Sequence, residues 1–301
     1  MLFPRLGRPV TTWAGWSGWP RQPRPIRGRE AAPDGNPWPL VSVVTPSLNQ
    51  AGFLEEAILS VAHQDYPAAE HIVIDGGSTD GTVELLHRSP QVVWASEPDR
   101  GQSAAVNKGL SRAKGEIIGW LNSDDLYEPN AFRTAAAYLA ANPDVDVLYG
   151  DCYFVYEDGA EPEVRLASAR PFDLDFLLNV GCFIHQPAAF FRRRVLECGL
   201  LDERLHYAMD FEYWVRLARS GRRFAYLPTP LASFRVHGGS KSGAVLDRFW
   251  PEVRRVSRAN GGRLLSRWYA RHLKERISVH FPGAYRAAKR MYRRFRPLEA
   301  D

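Results

Sequence analysis

From Leu40 onward, short runs of β-branched residues alternate with stretches of helical periodicity, and this alternation limits the chain to a narrow class of folds. The runs LVSVVTPS, HIVID, QVVWASE and EIIGWL read as four strands, and helical segments separate them. A strand–helix–strand repeat is typical of βαβ units, in which the strands pair in parallel and the helices cover the sheet. The sequence therefore predicts an α/β fold with a mostly parallel central sheet and flanking helices.

Each of the four predicted strands ends in a polar or glycine-rich loop. In chain order, these loops are PSLNQAG, DGGSTDG, EPDRGQ and NSDD. In an open α/β sheet the ligand crevice lies at the carboxyl ends of the strands. We therefore expect the four loops to gather on one rim and to form a binding site.

Two common nucleotide-binding motifs are missing from the sequence. No GxGxxG follows the first strand, and no GxxxxGK[ST] occurs anywhere in the 301 residues. These glycine patterns let backbone N–H groups approach phosphates in dinucleotide-dependent dehydrogenases and in P-loop proteins. Both classes therefore lose their main support, and the rim must bind its ligand by other means.

Two adjacent carboxylates, Asp124 and Asp125, directly follow the fourth strand. Neighbouring like charges repel one another, and a cation that prefers oxygen ligands, Mg²⁺ or Mn²⁺, relieves that repulsion. Such a metal commonly keeps water and completes its shell with substrate phosphates. The alternative is that the two aspartates cap the helix predicted from EPNAF onward, as aspartate often does. The motif alone leaves both interpretations open.

Four segments of the N-terminal half together resemble the nucleotide-sugar half of family 2 glycosyltransferases, which have the GT-A fold. The segments match that family in order and spacing and are VSVVTPSLNQ, VIDGGSTDGT, SEPDRGQSAAVNKG and IIGWLNSDD. The resemblance covers residues 40–130 and continues, less closely, over the residues up to 240. It implies an inverting, metal-dependent enzyme that uses a nucleoside-diphosphate sugar and Mg²⁺ or Mn²⁺.

The resemblance also implies which residues bind the donor. Those for the nucleotide sugar are Thr45, Pro46, Asn49, Asp75, Arg100 and Asp124. Asp75 would face the nucleotide base, although many relatives carry two aspartates where this chain has Asp75 and Gly76. Arg100 would reach a phosphate, or else lie in solvent on its loop. Asp124 would hold the ribose or the metal shell, and Asp125 would ligate the metal. His237 would be a further ligand or a phosphate contact.

A second part of the resemblance lies downstream, in HYAMDFEYWVRLARSG. Asp210 occupies the position of the family's general base, and Met209 precedes it where many relatives have glutamate. The structural alternative makes Asp210 the N-cap of the following helix, and one residue can serve both purposes. By the same resemblance His185 and Gln186 would shape the acceptor side.

Charge is distributed unevenly along the chain, whose formal net charge is +5. Residues 41–251 carry 19 Lys and Arg against 28 Asp and Glu, whereas residues 252–301 carry 14 against 4. An acidic middle argues against nucleic acid as a partner, and the basic end suits an anionic membrane surface. Three cysteines without CxxC spacing fit a reducing cytoplasm. No apolar run approaches the ~18 residues of a spanning helix.

These features predict one main domain with extensions at both ends. Residues 1–38 are expected to be disordered or an uncertain N-terminal extension. Residues 39–245 form the transferase domain, with a nucleotide-sugar half (39–130) and an acceptor half (131–245). Residues 246–301 form a basic amphipathic helical tail.

One face of the tail gathers five apolar residues: Leu265, Trp268, Tyr269, Leu273 and Ile277. This composition suits a helix that lies on an anionic membrane. The protein would then be cytoplasmic and peripheral at the inner face of the membrane. The alternative is a helix that packs on the domain and turns its basic face to solvent.

The function predicted from these patterns is transfer of a sugar to a hydroxyl of a glycan or a lipid-linked acceptor. A nucleotidyltransferase is one alternative, but it would carry a glycine-rich, arginine-containing loop after the first strand, and TPSLNQAGF is not such a loop. A non-catalytic protein that binds nucleotide sugars, or a membrane scaffold, is the other alternative. Such a protein would keep the rim without needing Asp210.

Overall fold

The computed structural model describes residues 6–9, 31–32, 35–157, 163–239, 246–270 and 273. The described strands are β1 (Leu6–Pro9), β2 (Val41–Ser47), β3 (Ala69–Asp75), β4 (Val92–Ser96), β5 (Ile117–Trp120), β6 (Leu126–Tyr127), β7 (Val147–Tyr156), β8 (Glu163–Ala167), β9 (Ala189–Arg192) and β10 (Phe224–Val236). The described α-helices are α1 (Ala51–Ala62), α2 (Thr82–His87), α3 (Gln102–Arg112), α4 (Ala131–Ala141), α5 (Leu174–Asn179), α6 (Met209–Arg219) and α7 (Leu246–Ala259). Two short 3-10 helices span Gln186–Ala188 and Arg193–Cys198.

The N-terminal half is a parallel sheet of four strands in the order β4–β3–β2–β5. In the registers of β2, Val41 lies opposite Ala69 of β3 on one side and Ile117 of β5 on the other. All seven residues of β2 are buried, because helices cover both faces of a parallel sheet. The predicted α/β fold with a parallel central block is confirmed.

The C-terminal half adds a mixed extension to this block. β9 pairs antiparallel with β5 and with the first residues of β7, and β8 pairs antiparallel with the later residues of β7. β10 runs parallel to β7 along its length. It also pairs antiparallel with β6, the two-residue strand that directly follows the NSDD loop. The pairing brings the end of β10 to the rim of the parallel sheet.

Close packing of α3 on the sheet depends on one glycine. Gly109 lies against Val44 of β2, and a Cβ atom at position 109 would overlap the Val44 side chain. Ala105, Val106 and Leu110 of the same helix are buried against the sheet. α3 thereby brings its first residue, Gln102, and the preceding Gly101 to the carboxyl ends of β2 and β5.

The C-terminal segment packs on the domain over residues 246–270. Trp250, Val253 and Val256 of α7 are buried in the same core as α6, and Trp268 joins them. The indole N–H of Trp268 donates a 3.0 Å hydrogen bond to the carbonyl of Leu177. The packed domain therefore extends past the predicted boundary at residue 245.

The apolar face predicted for the tail does not form as a single face in the described residues. Trp268 is buried, whereas Leu265 is 87% exposed and Leu273 is 46% exposed. Ile277 lies outside the described residues. Among the described residues, α7 and Trp268 instead pack on the domain. None of the helices in the described ranges combines the length and hydropathy of a membrane span.

The predicted N-terminal extension contributes a strand to the sheet. β1 pairs antiparallel with β8 at the end of the strand order. The rest of the predicted extension is described only at residues 31–32 and 35–38. Within residues 1–38, which were expected to be disordered or an uncertain extension, Leu6–Pro9 thus forms a paired strand.

Trp268 and Leu265 give a matched test of how the C-terminal segment packs. Replacing a buried tryptophan with alanine removes a large apolar surface and leaves a cavity, at a cost of roughly 3–5 kcal/mol. We expect Trp268→Ala to lower the free energy of unfolding by about that amount in urea titrations. Leu265→Ala should change it by less than about 0.5 kcal/mol, since the side chain is exposed. Equal effects of the two substitutions would contradict this packing.

Candidate active site

A cavity of about 450 Å³ opens at the carboxyl ends of the parallel strands. Leu48 from the loop after β2, Asp99 from the loop after β4 and Asp124 from the loop after β5 line it. Asp210 at the start of α6 and Trp268 from the C-terminal segment close it from the other side. The predicted rim is thus formed by three of the four strand-end loops together with parts of the chain that are distant in sequence.

The two adjacent aspartates of the NSDD loop lie in different surroundings. Asp125 is 1% exposed, and its two oxygens accept hydrogen bonds from the backbone N–H of Arg235 (3.1 Å) and the amide of Asn122 (3.2 Å). Burial, and after it the charge of Asp124, raises the pKa of the Asp125 carboxyl well above the usual range of aspartate. Asp124 instead lines the cavity. The geometry therefore favours Asp124 over Asp125 as the residue that contacts a ligand.

Neither aspartate caps the helix that follows. α4 begins at Ala131, and the residue before it is Asn130, in a left-handed conformation with φ of 65°. Instead, Asp125 joins the NSDD loop to β10 through the Arg235 backbone. The interpretation of the two aspartates as helix caps is therefore wrong. Asp125 is a buried structural carboxylate, and Asp124 is a carboxylate at the cavity.

His237, just beyond the end of β10, contacts Asp124. Its Nε2 lies 3.2 Å from Oδ2 of Asp124, and its ring packs on Phe53 at 4.3 Å between ring centres. Among the residues that the structure describes, no three His, Cys, Asp or Glu side chains come together as a metal cluster. Mg²⁺ sites commonly use one or two protein ligands, and water and substrate phosphates complete the shell. Asp124 and His237 fit a site of that kind.

Asp210 is the second residue of α6 and lines the cavity. Burial raises the pKa of this carboxyl to about 6. Its Oδ1 accepts a 2.7 Å hydrogen bond from the N–H of Phe211. The residue that precedes the helix is Ala208, so the prediction that Asp210 is the N-cap is wrong. The carboxylate belongs to the cavity wall, where a pKa near neutrality suits a proton acceptor.

An amide network fixes the floor of the cavity. The Asn122 amide donates to Oε1 of Gln186 at 2.9 Å, and the Asn122 carbonyl oxygen accepts from Gln102 (2.7 Å) and Trp120 (3.1 Å). Gln186 also donates to the carbonyl of Trp120. The predicted position of Gln186 at the site is consistent with this network. Asn122 and Gln102 were not among the predicted site residues, although they lie in the strand-end loops NSDD and EPDRGQ.

Two of the predicted donor-binding residues, Asp75 and Asn49, support the rim from behind. Asp75 is fully buried, and its carboxylate accepts hydrogen bonds from the N–H groups of Gly77 (3.0 Å) and Ser78 (2.9 Å) and from the hydroxyl of Ser96 (2.6 Å). Asn49 joins the first and second loops, because its N–H donates to Ser78. These residues hold the loops in place and do not line the cavity.

Thr45 is also a supporting residue. It is fully buried, and its hydroxyl lies 2.9 Å from Nε2 of His71. Burial lowers the pKa of His71 to about 3, so this histidine is neutral. It pairs with Thr45 inside the sheet. Pro46, the next residue along β2, lines the cavity as predicted from the resemblance.

Two further predicted residues lie away from the cavity wall. Arg100 has an 87% exposed side chain that pairs with Glu203 at 2.9 Å. This is the alternative in which Arg100 lies in solvent on its loop. His185 is buried against the ring of Phe154, and burial lowers its pKa to about 4. His185 therefore supports the neighbouring Gln186 as a neutral core residue.

Asp99 is a cavity residue that the sequence analysis missed. Its Oδ1 accepts a 2.8 Å hydrogen bond from the N–H of Gly101, and its other oxygen lies over Gly76. A side chain at position 76 would run into that oxygen, at 2.9 Å from an added Cβ atom. The carboxylate of Asp99 thus occupies the space that the glycine leaves open. The quoted loop EPDRGQ contained this residue, but only the fold shows that it faces Gly76.

The mouth of the cavity joins an outer groove. His206 and Tyr207 line both spaces, and the groove also contains Arg204, Arg248 and Arg255. Arg204 pairs with Asp202, whose pKa this guanidinium holds below its usual value. Phe249 and Trp268 form an apolar wall on the cavity side. A polar and anionic cavity interior thus leads through an aromatic mouth to a basic surface.

The comparison with protein families decides the class of this site. The sequence profile of glycosyl transferase family 2 matches residues 42–200, which include β2 to β9 and the NSDD loop. The chain belongs to glycosyltransferase family 2. An uncharacterized glycosyltransferase of Rickettsia typhi is 31% identical over 222 residues, which are 70% of this chain and 68% of the relative. A PGL/p-HBAD biosynthesis glycosyltransferase of Mycobacterium bovis is 28% identical over 218 residues, which are 70% of this chain and 82% of the relative.

Solved structures show the same fold for this glycosyltransferase. The S. aureus TarS fragment 1–349 in complex with UDP-GlcNAc matches with a TM-score of 0.60 and 22% identity, over 81% of this chain and 73% of that one. The mannosyltransferase PcManGT from Pyrobaculum calidifontis, in complex with GDP-Man and Mn²⁺, matches with a TM-score of 0.55 and 20% identity over 84% of each chain. The predicted GT-A fold and the predicted enzyme class, a glycosyltransferase, are confirmed.

Proposed function

We propose that this glycosyltransferase moves a sugar from a nucleoside-diphosphate sugar to a hydroxyl of a glycan or a lipid-linked acceptor, with inversion at the anomeric carbon. The observation that carries the proposal is that Asp124 and Asp210 line one cavity at the carboxyl ends of the strands. One of these carboxylates sits beside a histidine, and the other has a raised pKa. The two therefore suit different tasks, diphosphate binding and proton transfer.

Asp210 is the proposed general base. In an inverting transfer, the acceptor hydroxyl attacks the anomeric carbon from the face opposite the diphosphate and must lose its proton as the new bond forms. The Asp210 carboxylate takes that proton, while the bond between the anomeric carbon and the diphosphate oxygen breaks with its electron pair on the diphosphate. A pKa of about 6 makes this carboxylate a better proton acceptor than an ordinary aspartate and leaves it ionised at neutral pH.

Asp124 and His237 are the proposed protein ligands of Mg²⁺ or Mn²⁺, in place of the pair Asp125 and His237 predicted from the sequence. Their 3.2 Å contact at the end of β10 supports this assignment, because Asp125 has both oxygens engaged inside the protein. A bound divalent ion would supply positive charge that stabilises the departing diphosphate. The Mn²⁺ in the PcManGT complex supports the same choice of metal.

The donor is proposed to be a sugar linked to a nucleoside diphosphate. The complexes of TarS with UDP-GlcNAc and of PcManGT with GDP-Man support this class of donor. Asp99 is a better candidate than Asp75 for contact with the nucleotide base, because Asp99 lines the cavity and Asp75 is fully engaged below it. A carboxylate that faces a base can accept a hydrogen bond from a ring N–H or an exocyclic amine.

The acceptor and the location are proposed from the outer groove. Arg248 and Arg255 lie on α7 beside the cavity mouth and carry a basic surface there. Such a surface suits the cytoplasmic face of an anionic membrane, where a lipid-linked acceptor would be presented. The three cysteines are free thiols, which is consistent with a reducing cytoplasm.

Asp124 and Asp125 provide a matched test of the metal site. We expect Asp124→Asn to abolish the Mn²⁺-dependent binding of UDP and GDP in calorimetry and to leave the free energy of unfolding nearly unchanged. Asp125→Ala should instead cost about 1–3 kcal/mol of stability, because it leaves the Arg235 N–H buried without its partner. If Asp125→Ala alone abolished metal-dependent binding in a protein of normal stability, the ligand assignment would revert to Asp125.

A substitution of Asp210 tests the proposed function directly. A base acts on the acceptor, so Asp210→Asn should leave donor affinity within a few-fold and reduce transfer by ~10²-fold or more. Transfer is followed as nucleoside diphosphate release over a panel of nucleotide sugars, with glycans, lipid-linked sugars or water as acceptors. In the unsubstituted enzyme kcat/KM should fall as the pH drops below about 6, since protonation removes the base. Normal turnover in Asp210→Asn would refute this role.

The proposed membrane contact is tested with vesicles. Each basic side chain near an anionic surface contributes about 1 kcal/mol. Arg248→Gln combined with Arg255→Gln should therefore reduce sedimentation with phosphatidylglycerol vesicles at low salt by about tenfold or more. Phosphatidylcholine vesicles, and the variant Arg219→Gln on the exposed end of α6, serve as controls. Binding that is equally strong to both kinds of vesicle would exclude an electrostatic contact.

A further inference from the structure

A glutamate of the C-terminal segment holds the loop that leads into α6. The Glu252 carboxylate accepts hydrogen bonds from the backbone N–H groups of three successive residues, His206, Tyr207 and Ala208. The N···O distances are 3.0 and 3.2 Å to His206, 2.8 Å to Tyr207 and 2.9 Å to Ala208. Successive N–H groups that converge on one anion form a backbone nest, and here Glu252 supplies the anion from 44–46 residues away.

α6 has no side-chain cap of its own at this end. The residue before the helix is Ala208, whose side chain has no hydrogen-bonding atom, and the carboxylate of Asp210 is engaged by the N–H of Phe211. The conformation of the chain just before the helix therefore depends on Glu252. Asp210 follows Ala208 by two residues, and peptide units are rigid. A shift of the loop accordingly moves the Asp210 carboxylate relative to the cavity.

Glu252 is itself held in a fixed place. Its neighbours on α7, Trp250 and Val253, are buried in the core, and the hydroxyl of Ser257 donates to the carbonyl of Leu178 at 2.8 Å. Glu252 lines the outer groove, whereas Asp210 lines the cavity. A side chain on a rigid element that holds a loop beside a functional group can set the geometry of that group without touching the substrate.

We propose that Glu252 is a positioning residue for the transfer reaction, acting on Asp210 through the nest of His206, Tyr207 and Ala208. The inference rests on the proposed function, in which Asp210 is the base. It assigns to the C-terminal segment a part in the chemistry: α7 fixes the helix start that carries the proton acceptor. A misplacement of about 1 Å of a catalytic group can cost ~10²-fold in rate.

Three variants test the proposal. Glu252→Ala removes the acceptor of all these hydrogen bonds, and Glu252→Gln keeps the size and one oxygen. We expect turnover at saturating donor to fall by about 10–100-fold in Glu252→Ala and by a smaller factor in Glu252→Gln, with the Kd of UDP–Mn²⁺ within a few-fold of normal. Glu84→Gln, the same chemical change at an exposed site on α2, should leave turnover unchanged. If Glu252→Ala does not fold, the Gln variant carries the test.

A combined variant separates positioning from a merely structural role. If Glu252 acts through Asp210, then Glu252→Gln should cause no further loss of turnover in an Asp210→Asn background, because the group that it positions is already absent. A displaced loop would also let water reach Asp210 and lower its pKa. In Glu252→Gln, the pH below which kcat/KM falls should therefore shift from about 6 to a lower value.

The outcomes distinguish this inference from the proposed function. Normal turnover of folded Glu252→Gln and Glu252→Ala, with Asp210→Asn inactive, would overturn the role of Glu252 alone. A loss from Glu252→Gln that persists in full in the Asp210→Asn background would also overturn it, because Glu252 would then act by another route. An active Asp210→Asn enzyme would instead remove the proposed base itself.

Discussion

The burial of the Asp125 carboxylate is the constraint on which the arrangement of the site depends. A carboxyl group inside a protein is costly unless hydrogen bonds satisfy its oxygens, and Asp125 obtains these from Asn122 and from the backbone of Arg235. The second contact fixes β10 to the loop after β5. β10 in turn brings His237 to Asp124. One interior carboxylate thus holds together the two chain segments that form the proposed metal site.

The adjacent aspartates have different surroundings because they lie on opposite sides of the loop. Asp125 turns inward and is held by the protein, and Asp124 turns outward to the cavity. The repulsion between them is reduced because burial favours the protonated form of Asp125. In the second half of the chain, the carboxylate of Asp210 is also partly buried, and this burial raises its pKa. In both places burial raises the pKa of an aspartate and sets it apart from an ordinary surface aspartate.

The C-terminal segment completes the domain and contributes to its site. Trp250 and Trp268 bury apolar surface in the same core as α6, and Trp268 forms part of the cavity wall. Glu252 fixes the loop before Asp210. Residues that are far apart along the chain therefore close the cavity of this family 2 glycosyltransferase on the side opposite the strand-end loops. Its basic groove and aromatic mouth arise where the segment meets the start of α6.

The sequence alone determined the alternation of strands and helices, the strand-end loops and the candidates Asp124 and Asp210, because hydrophobic period and loop chemistry are local properties. It did not determine which side chain of each loop faces the cavity. Asp75 accepts hydrogen bonds from its own loop and from Ser96 at the end of β4, and Asp99 reaches the space over Gly76. The contacts of Asp75 with Ser96 and of Asp99 with Gly76 join segments that are separate in the sequence. The contact of Glu252 with the loop before Asp210 joins residues more than 40 positions apart. Such contacts are decided by packing in three dimensions, which a local pattern does not encode.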